Sequence, residues 1–255
     1  MILAIDIGNS HIVFGGVDGE RIYFQARLST DSNKTEDEYA VIFKDLLEIH
    51  GIDRHKVEGA ILSTVVPPLI QVMRGAIRKL THKELLVVGP GIKTGLNILL
   101  DNPGQMGGDL VVGAVAALAE HTPPLIILDV GTATTISVID RKGNFRGGQI
   151  LPGIRLSLEA LTSHTSLLQQ ISLEAPGKVI GTNTEDSMRS GLIFGNACML
   201  DGLIDRIEEE LGEKATVLAT GGLAGTIIPH CRREIILEDD LLIKGLWLVY
   251  KKNMK

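Results

Sequence analysis

Asp6-Ile-Gly-Asn-Ser10 and Asp129-Val-Gly-Thr-Ala-Thr134 are two versions of one pattern. Each closes an apolar run, Met1 to Ile5 and Leu125 to Leu128, and each opens another, Ile12 to Val17 and Ile136 to Ile139. Asp6 maps to Asp129, Gly8 to Gly131 and Asn9 to Thr132 at one constant offset. Both copies then run to a turn, Asp18-Gly19 and Arg141-Lys142-Gly143. A single strand, Asp-x-Gly turn and strand reads equally well as an ordinary hairpin, where Asp, Gly, Asn and Ser are all common. Two copies point instead to a duplicated domain. Length agrees, because 255 residues at about 100–200 per domain allow two.

Taken in order, residues 1–28 predict three antiparallel strands. Thr35 with Glu38 three residues on is a capping-box start for a helix to about His50, its apolar face carried by Tyr39, Ile42, Phe43, Leu46 and Leu47. A strand over Val57–Val65, a helix opened by Pro67-Pro68 and a strand over Leu85–Val88 follow. Three strands, helix, strand, helix, strand is the layout of a ribonuclease H-like nucleotide-binding half. The expected fold is therefore α/β: two duplicated ribonuclease H-like (actin-like ATPase) domains, residues 1–120 and 121–255, around a central cleft. The second is expected to carry an insertion, about 148–190, with no counterpart in the first.

Hydrophobic residues make up 44% of the chain and aromatics 4%, so the cores are expected to be built from Leu, Ile, Val and Ala. The net charge of −6 argues against a general affinity for nucleic acid or anionic membrane. The longest apolar run, Leu110 to Ala119, falls short of the roughly 18–20 residues that span a bilayer. The first residues carry no leader pattern, and Cys198 and Cys231 have no motif spacing. Together these suit a cytoplasmic protein with cysteines in packing roles.

The two turns suggest what the halves do. Amide N–H groups and small polar side chains at Gly8, Asn9, Ser10, Gly131 and Thr132 neutralise phosphate without a formal charge. Asp6 adds a carboxylate for Mg²⁺, which keeps much of its water shell. Thr220-Gly221-Gly222 at a later strand end suits close packing against a flat nucleoside. There is no Gly-x-x-x-x-Gly-Lys loop, His-x-x-x-His or Cys-x-x-Cys. Phosphoryl transfer also needs an acceptor for the nucleophile's proton. Asp109 is the candidate, after Gly107-Gly108, which leave room for an acceptor to approach. Its alternative role is that of a carboxylate favourable at a helix start.

The chain resembles the type III pantothenate kinases, of the acetate kinase, sugar kinase and actin superfamily, along its whole length. The likeness rests on Asp6–Ser10, Arg27-Leu-Ser-Thr30, Thr35-Glu-Asp-Glu-Tyr39, Ser63-Thr-Val-Val-Pro67 and Val88-Gly-Pro-Gly91. It continues through Asn102-Pro103 with Gly107-Gly-Asp109, Asp129–Thr134, Pro152-Gly153, Gly181-Thr-Asn-Thr184, Thr220-Gly-Gly222 and Gly245-Leu246. The resemblance implies ATP-dependent phosphorylation of pantothenate, a divalent ion such as Mg²⁺, a monovalent cation (K⁺ or NH₄⁺) and a homodimer. It implies that Asp6 binds metal and phosphate, Asp129 the monovalent cation, Thr132 the ATP phosphates, and that Asp109 is the catalytic base. Thr184 would touch pantothenate, with Gly107 and Gly108 lining the same site. Leu110 stands where the family usually has Arg, Leu100 where it has Tyr, and Gly113 where it has Asn. These losses lie on the acceptor side, which leaves an alternative: a homologue that binds ATP but uses another acceptor or serves in regulation.

Overall fold

The structure, a computed structural model, describes residues 1–19 and 21–254. The chain divides into two compact units. Met1–Leu96, Asp101–Ala119 and Asp240–Lys255 form the first, and Asn97–Leu100 with Glu120–Asp239 the second. An expected division at residue 120 thus meets two exchanges, a four-residue piece given to the second unit and the last helix given to the first.

In the first unit β1 (Ile2–Ile7), β2 (His11–Asp18) and β3 (Arg21–Ser29) form an antiparallel meander. α1 (Glu36–Ile49) leads to β4 (Gly59–Thr64), and α2 (Leu69–Thr81) to β5 (Leu85–Val87). β4 lies parallel to β1 and β5 parallel to β4, giving the order β3-β2-β1-β4-β5. In the second unit β6 (Asn97–Ile98) is an edge strand, reached before α3 (Gly108–Glu120) of the first unit. β7 (Leu125–Val130), β8 (Ala133–Ile139) and β9 (Asn144–Pro152) repeat the meander. α4 (Ile154–Ser163) and α5 (Thr184–Leu211) precede β10 (Thr216–Thr220), and α6 (Ala224–Ile227) precedes β11 (Ile236–Leu237). The sheet order is β11-β10-β7-β8-β9-β6. Leaving β6 aside, this is the first sheet's order over again, with β10 parallel to β7 as β4 is to β1. The duplication read from two turns is therefore present in whole sheets.

α7 (Leu241–Asn253) belongs to the first unit because three glycines let it lie close. A Cβ on Gly245 would sit 2.0 Å from the carbonyl oxygen of Val112 in α3, and one on Gly59 would sit 1.9 Å from the Tyr250 hydroxyl. Gly15 in β2 would likewise meet Ile243 at 3.3 Å. Alternation on the strands sets the other face: Leu3, Ile5, Ile7, Ala60 and Leu62 join α1 and α2 in one core. That core corrects the expectation of one without aromatics. Phe14 stacks on Phe43 at 4.3 Å between centroids, and Phe24 and Tyr39 complete the cluster. The second core is aliphatic, formed by α4, α5 and α6 on β7, β8 and β10. Cys198 is exposed and Cys231 half-buried, so only the second packs as expected. No helix among the described residues is long and apolar enough to cross a membrane.

Candidate active site

Asp6 is the penultimate residue of β1, buried with its strand, while Asn9 and Ser10 are exposed at the turn. The Gly8 N–H is used inside the turn, donating to His11 O at 2.9 Å. The second unit repeats this, with Gly131 N–H donating to Ala133 O at 3.1 Å. Neither glycine takes a positive φ. A sharp bend therefore does not require glycine there, and a Cβ on Gly8 or Gly131 would meet its nearest backbone oxygen only at 3.4 or 3.5 Å. The first turn is held from two sides. The Thr30 hydroxyl donates to Gly8 O at 2.7 Å, Thr30 N–H to Ser10 O at 3.0 Å, and Val65 N–H to Ile7 O at 3.0 Å.

On the opposite face from the aromatic core, Asp6 is paired in register with Ser63 of β4. α3 begins just above. A Cβ on Gly108 would lie 2.9 Å from Ser63 Oγ, and one on Gly107 would lie 2.4 Å from Asp109 Oδ1. Both glycines are therefore spaces taken by neighbouring side chains. This places the predicted residues Asp6, Gly107, Gly108 and Asp109 at the carboxyl ends of β1 and β4, where open parallel sheets hold ligands. Asp109 Oδ1 accepts from Leu110 N–H at 2.8 Å. Burial raises the Asp109 pKa above the ordinary 3.8, against a smaller lowering by backbone N–H groups at the helix start. A carboxylate shifted up in this way is a stronger base once ionised.

In the second unit Asp129 is paired with Thr220. Gly221 has φ +97°, and a Cβ there would meet Asp129 Oδ1 at 2.5 Å and Val130 O at 2.6 Å. Only glycine fits that conformation and that contact. Gly153, at the start of α4, would meet Thr132 O at 2.3 Å, so α4 is seated directly against the Gly131-Thr132 turn. The structure thus brings Gly131, Thr132, Gly221 and Asp129 together, with Gly222 next in the chain. Thr184 stands elsewhere in the unit. It begins α5 after the cap Asn183, and it lines a groove of about 760 Å³ with Leu161, Leu168, Met188 and Leu192. Leu100 packs beside Gly147, where a Cβ would be 3.5 Å from Leu100 Cδ2. Gly113 lies against α7, so that position now serves helix packing.

Sequence reasoning named neither Ser63 nor Thr30 as site residues, although both fall in stretches it quoted. Their roles depend on cross-strand pairing, which no local pattern announces.

A family model described as type III pantothenate kinase matches residues 2–206. A type III pantothenate kinase from an Exiguobacterium species is 44% identical over 255 residues, covering 100% of both chains. One from Pelobacter propionicus is 42% identical, covering 99% of this chain and 100% of its own. Among solved structures, component A of (R)-2-hydroxyglutaryl-CoA dehydratase from Acidaminococcus fermentans superposes with a TM-score of 0.59 at 15% identity, covering 100% and 99% of the two chains. That likeness is one of fold.

Proposed function

The chain belongs to the type III pantothenate kinase family, and from that premise we propose that it transfers the γ-phosphoryl group of ATP to the hydroxyl of pantothenate, releasing ADP and 4'-phosphopantothenate at the first step of coenzyme A synthesis. Full-length identity with relatives that bear the name of this activity carries the reading. None of the findings supports the alternative of a homologue that has lost this acceptor.

Asp109 takes the proton of the attacking hydroxyl as its oxygen bonds to the γ-phosphorus and the bond to the ADP oxygen breaks. Its burial and raised pKa suit that role. Gly107 leaves room for the Asp109 carboxylate itself and Gly108 for Ser63 Oγ, so a side chain at either position would displace a group of the site. Asn9, Ser10 and Thr132 are the residues read as hydrogen-bonding the phosphates, and Gly221 and Gly222 those read as packing on the nucleoside. Asp6 would hold the divalent cation and Asp129 the monovalent one. Both sets fit hard cations, being carboxylates beside a Ser or Thr hydroxyl. Cations bound there would offset the negative charge of the phosphates. Leu100 and Leu110 offer no charge-assisted bond, so the pantothenate carboxylate is gripped by other groups.

The protein works as a homodimer in the cytoplasm. Leu167, Val179 and Ile180, close in sequence to the groove-lining Leu168 and Gly181, stand 88%, 67% and 81% exposed, apolar side chains suited to covering by a second copy. Thr184 reaches pantothenate from that copy. ADP release, measured with and without pantothenate, tests the function. Stimulation by pantothenate is expected, and ATP binding without turnover in its presence would sink the proposal.

A further inference from the structure

Ser63 is 0% exposed, and its hydroxyl has no hydrogen-bond partner among the described residues. A buried hydroxyl left unpaired is costly, so its retention calls for a partner that arrives with a ligand. Three observations say where that ligand lies. Ser63 and Asp6 are paired across parallel strands, so their side chains leave the same face of the sheet. That face is the one on which α3 begins, with Gly108 directly over Ser63 Oγ. The second unit repeats the device independently, pairing Asp129 with the buried Thr220 at the same place in its own sheet. A duplicated acid and hydroxyl at duplicated strand ends is hard to explain by core packing alone, since an apolar residue would fill either hydroxyl position at lower cost.

We propose that Ser63 is a positioning residue for the divalent cation: its hydroxyl accepts a hydrogen bond from a water in the shell of the ion that Asp6 holds. Magnesium keeps several of its waters and is bound through one or two carboxylates, so such a water has to be oriented by a further protein group. A cross-strand neighbour separated by one water is within reach for that purpose. The cation reading of Asp6 is the premise of this inference.

Ser63→Ala tests it, with Mn²⁺ as the probe. Free Mn²⁺ is followed by electron paramagnetic resonance in the presence of a non-hydrolysable ATP analogue. The variant is expected to bind Mn²⁺ about tenfold more weakly than wild type, the loss of one hydrogen bond to a charged group. It is also expected to melt higher, by on the order of 2–4 °C, because an unpaired buried hydroxyl has gone. A merely structural Ser63 would leave Mn²⁺ affinity unchanged. Equal affinity in wild type and variant overturns the role of Ser63 while Asp6→Asn still abolishes binding. Failure of wild type itself to bind Mn²⁺ with the analogue overturns the cation reading and this inference together.

Discussion

Asp109 sits where two opposing influences meet, burial that raises its pKa and helix-start N–H groups that lower it, and burial prevails. Three outcomes follow, one for the wild type and two for a single variant. The acid limb of kcat/KM should lie above the ordinary Asp value of 3.8, because the base works only when ionised. Asp109→Asn should lose roughly 10²–10⁴-fold in kcat. It should also melt at a higher temperature at neutral pH. The sign follows from linkage: a carboxyl whose folded pKa is raised contributes stability below its unfolded pKa and loses it as pH rises, so at neutral pH its charge is a burden. Steady-state kinetics against pH, with calorimetry on both proteins, checks this. Asp6, Asp109 and Asp129 were legible in the sequence because each lies beside glycines in a short run. Ser63 and Thr30 were not, because what makes them matter is which strand lies next to theirs.

At the scale of elements, local chemistry was the best guide. The Thr35–Glu38 capping box forms with both its hydrogen bonds, 3.3 Å from Glu38 N–H to Thr35 Oγ1 and 2.7 Å from Thr35 N–H to Glu38 Oε2. What the sequence could not display was the packing of helices on one another. Gly245 is such a case, with α7 pressed onto the backbone of α3. Gly245→Ala should cost about 1–3 kcal/mol, since the clash is with a carbonyl and no side chain can turn aside. Displacing α3 also displaces Asp109, so kcat should fall as well. Urea denaturation and kinetics on the same preparation test the pair of effects, and unchanged stability would show that the helices part without cost. The aromatic cluster was missed for a related reason. A low overall aromatic content says nothing of where the few rings gather, and four of them meet in the first core.

Over the whole molecule, two turns sufficed to predict two like sheets, because a repeated turn implies the strands on either side of it. They did not predict that α7 returns to the first unit. The expected consequence of removing residues 240–255 is therefore distant from the cut in sequence. Amides of β1 and β4 should lose protection from hydrogen exchange, while those of β7 and β10, in a core of their own, should keep most of theirs. Mass spectrometry of exchanged peptides reads both regions at once. Protection lost only near residue 240, or equally everywhere, would contradict this assignment of α7.

The same helix sets a schedule for synthesis. A ribosome makes β1 well before α7, adding roughly 5–20 residues each second. The sheet that carries Asp6 must therefore wait, with the face that α7 will cover still bare, while the second unit is translated. Domains generally fold as units and N-terminal first; here the later-made unit is the one able to finish ahead. The earlier-made sheet is then the part most exposed to chaperones and proteases until α7 has been made.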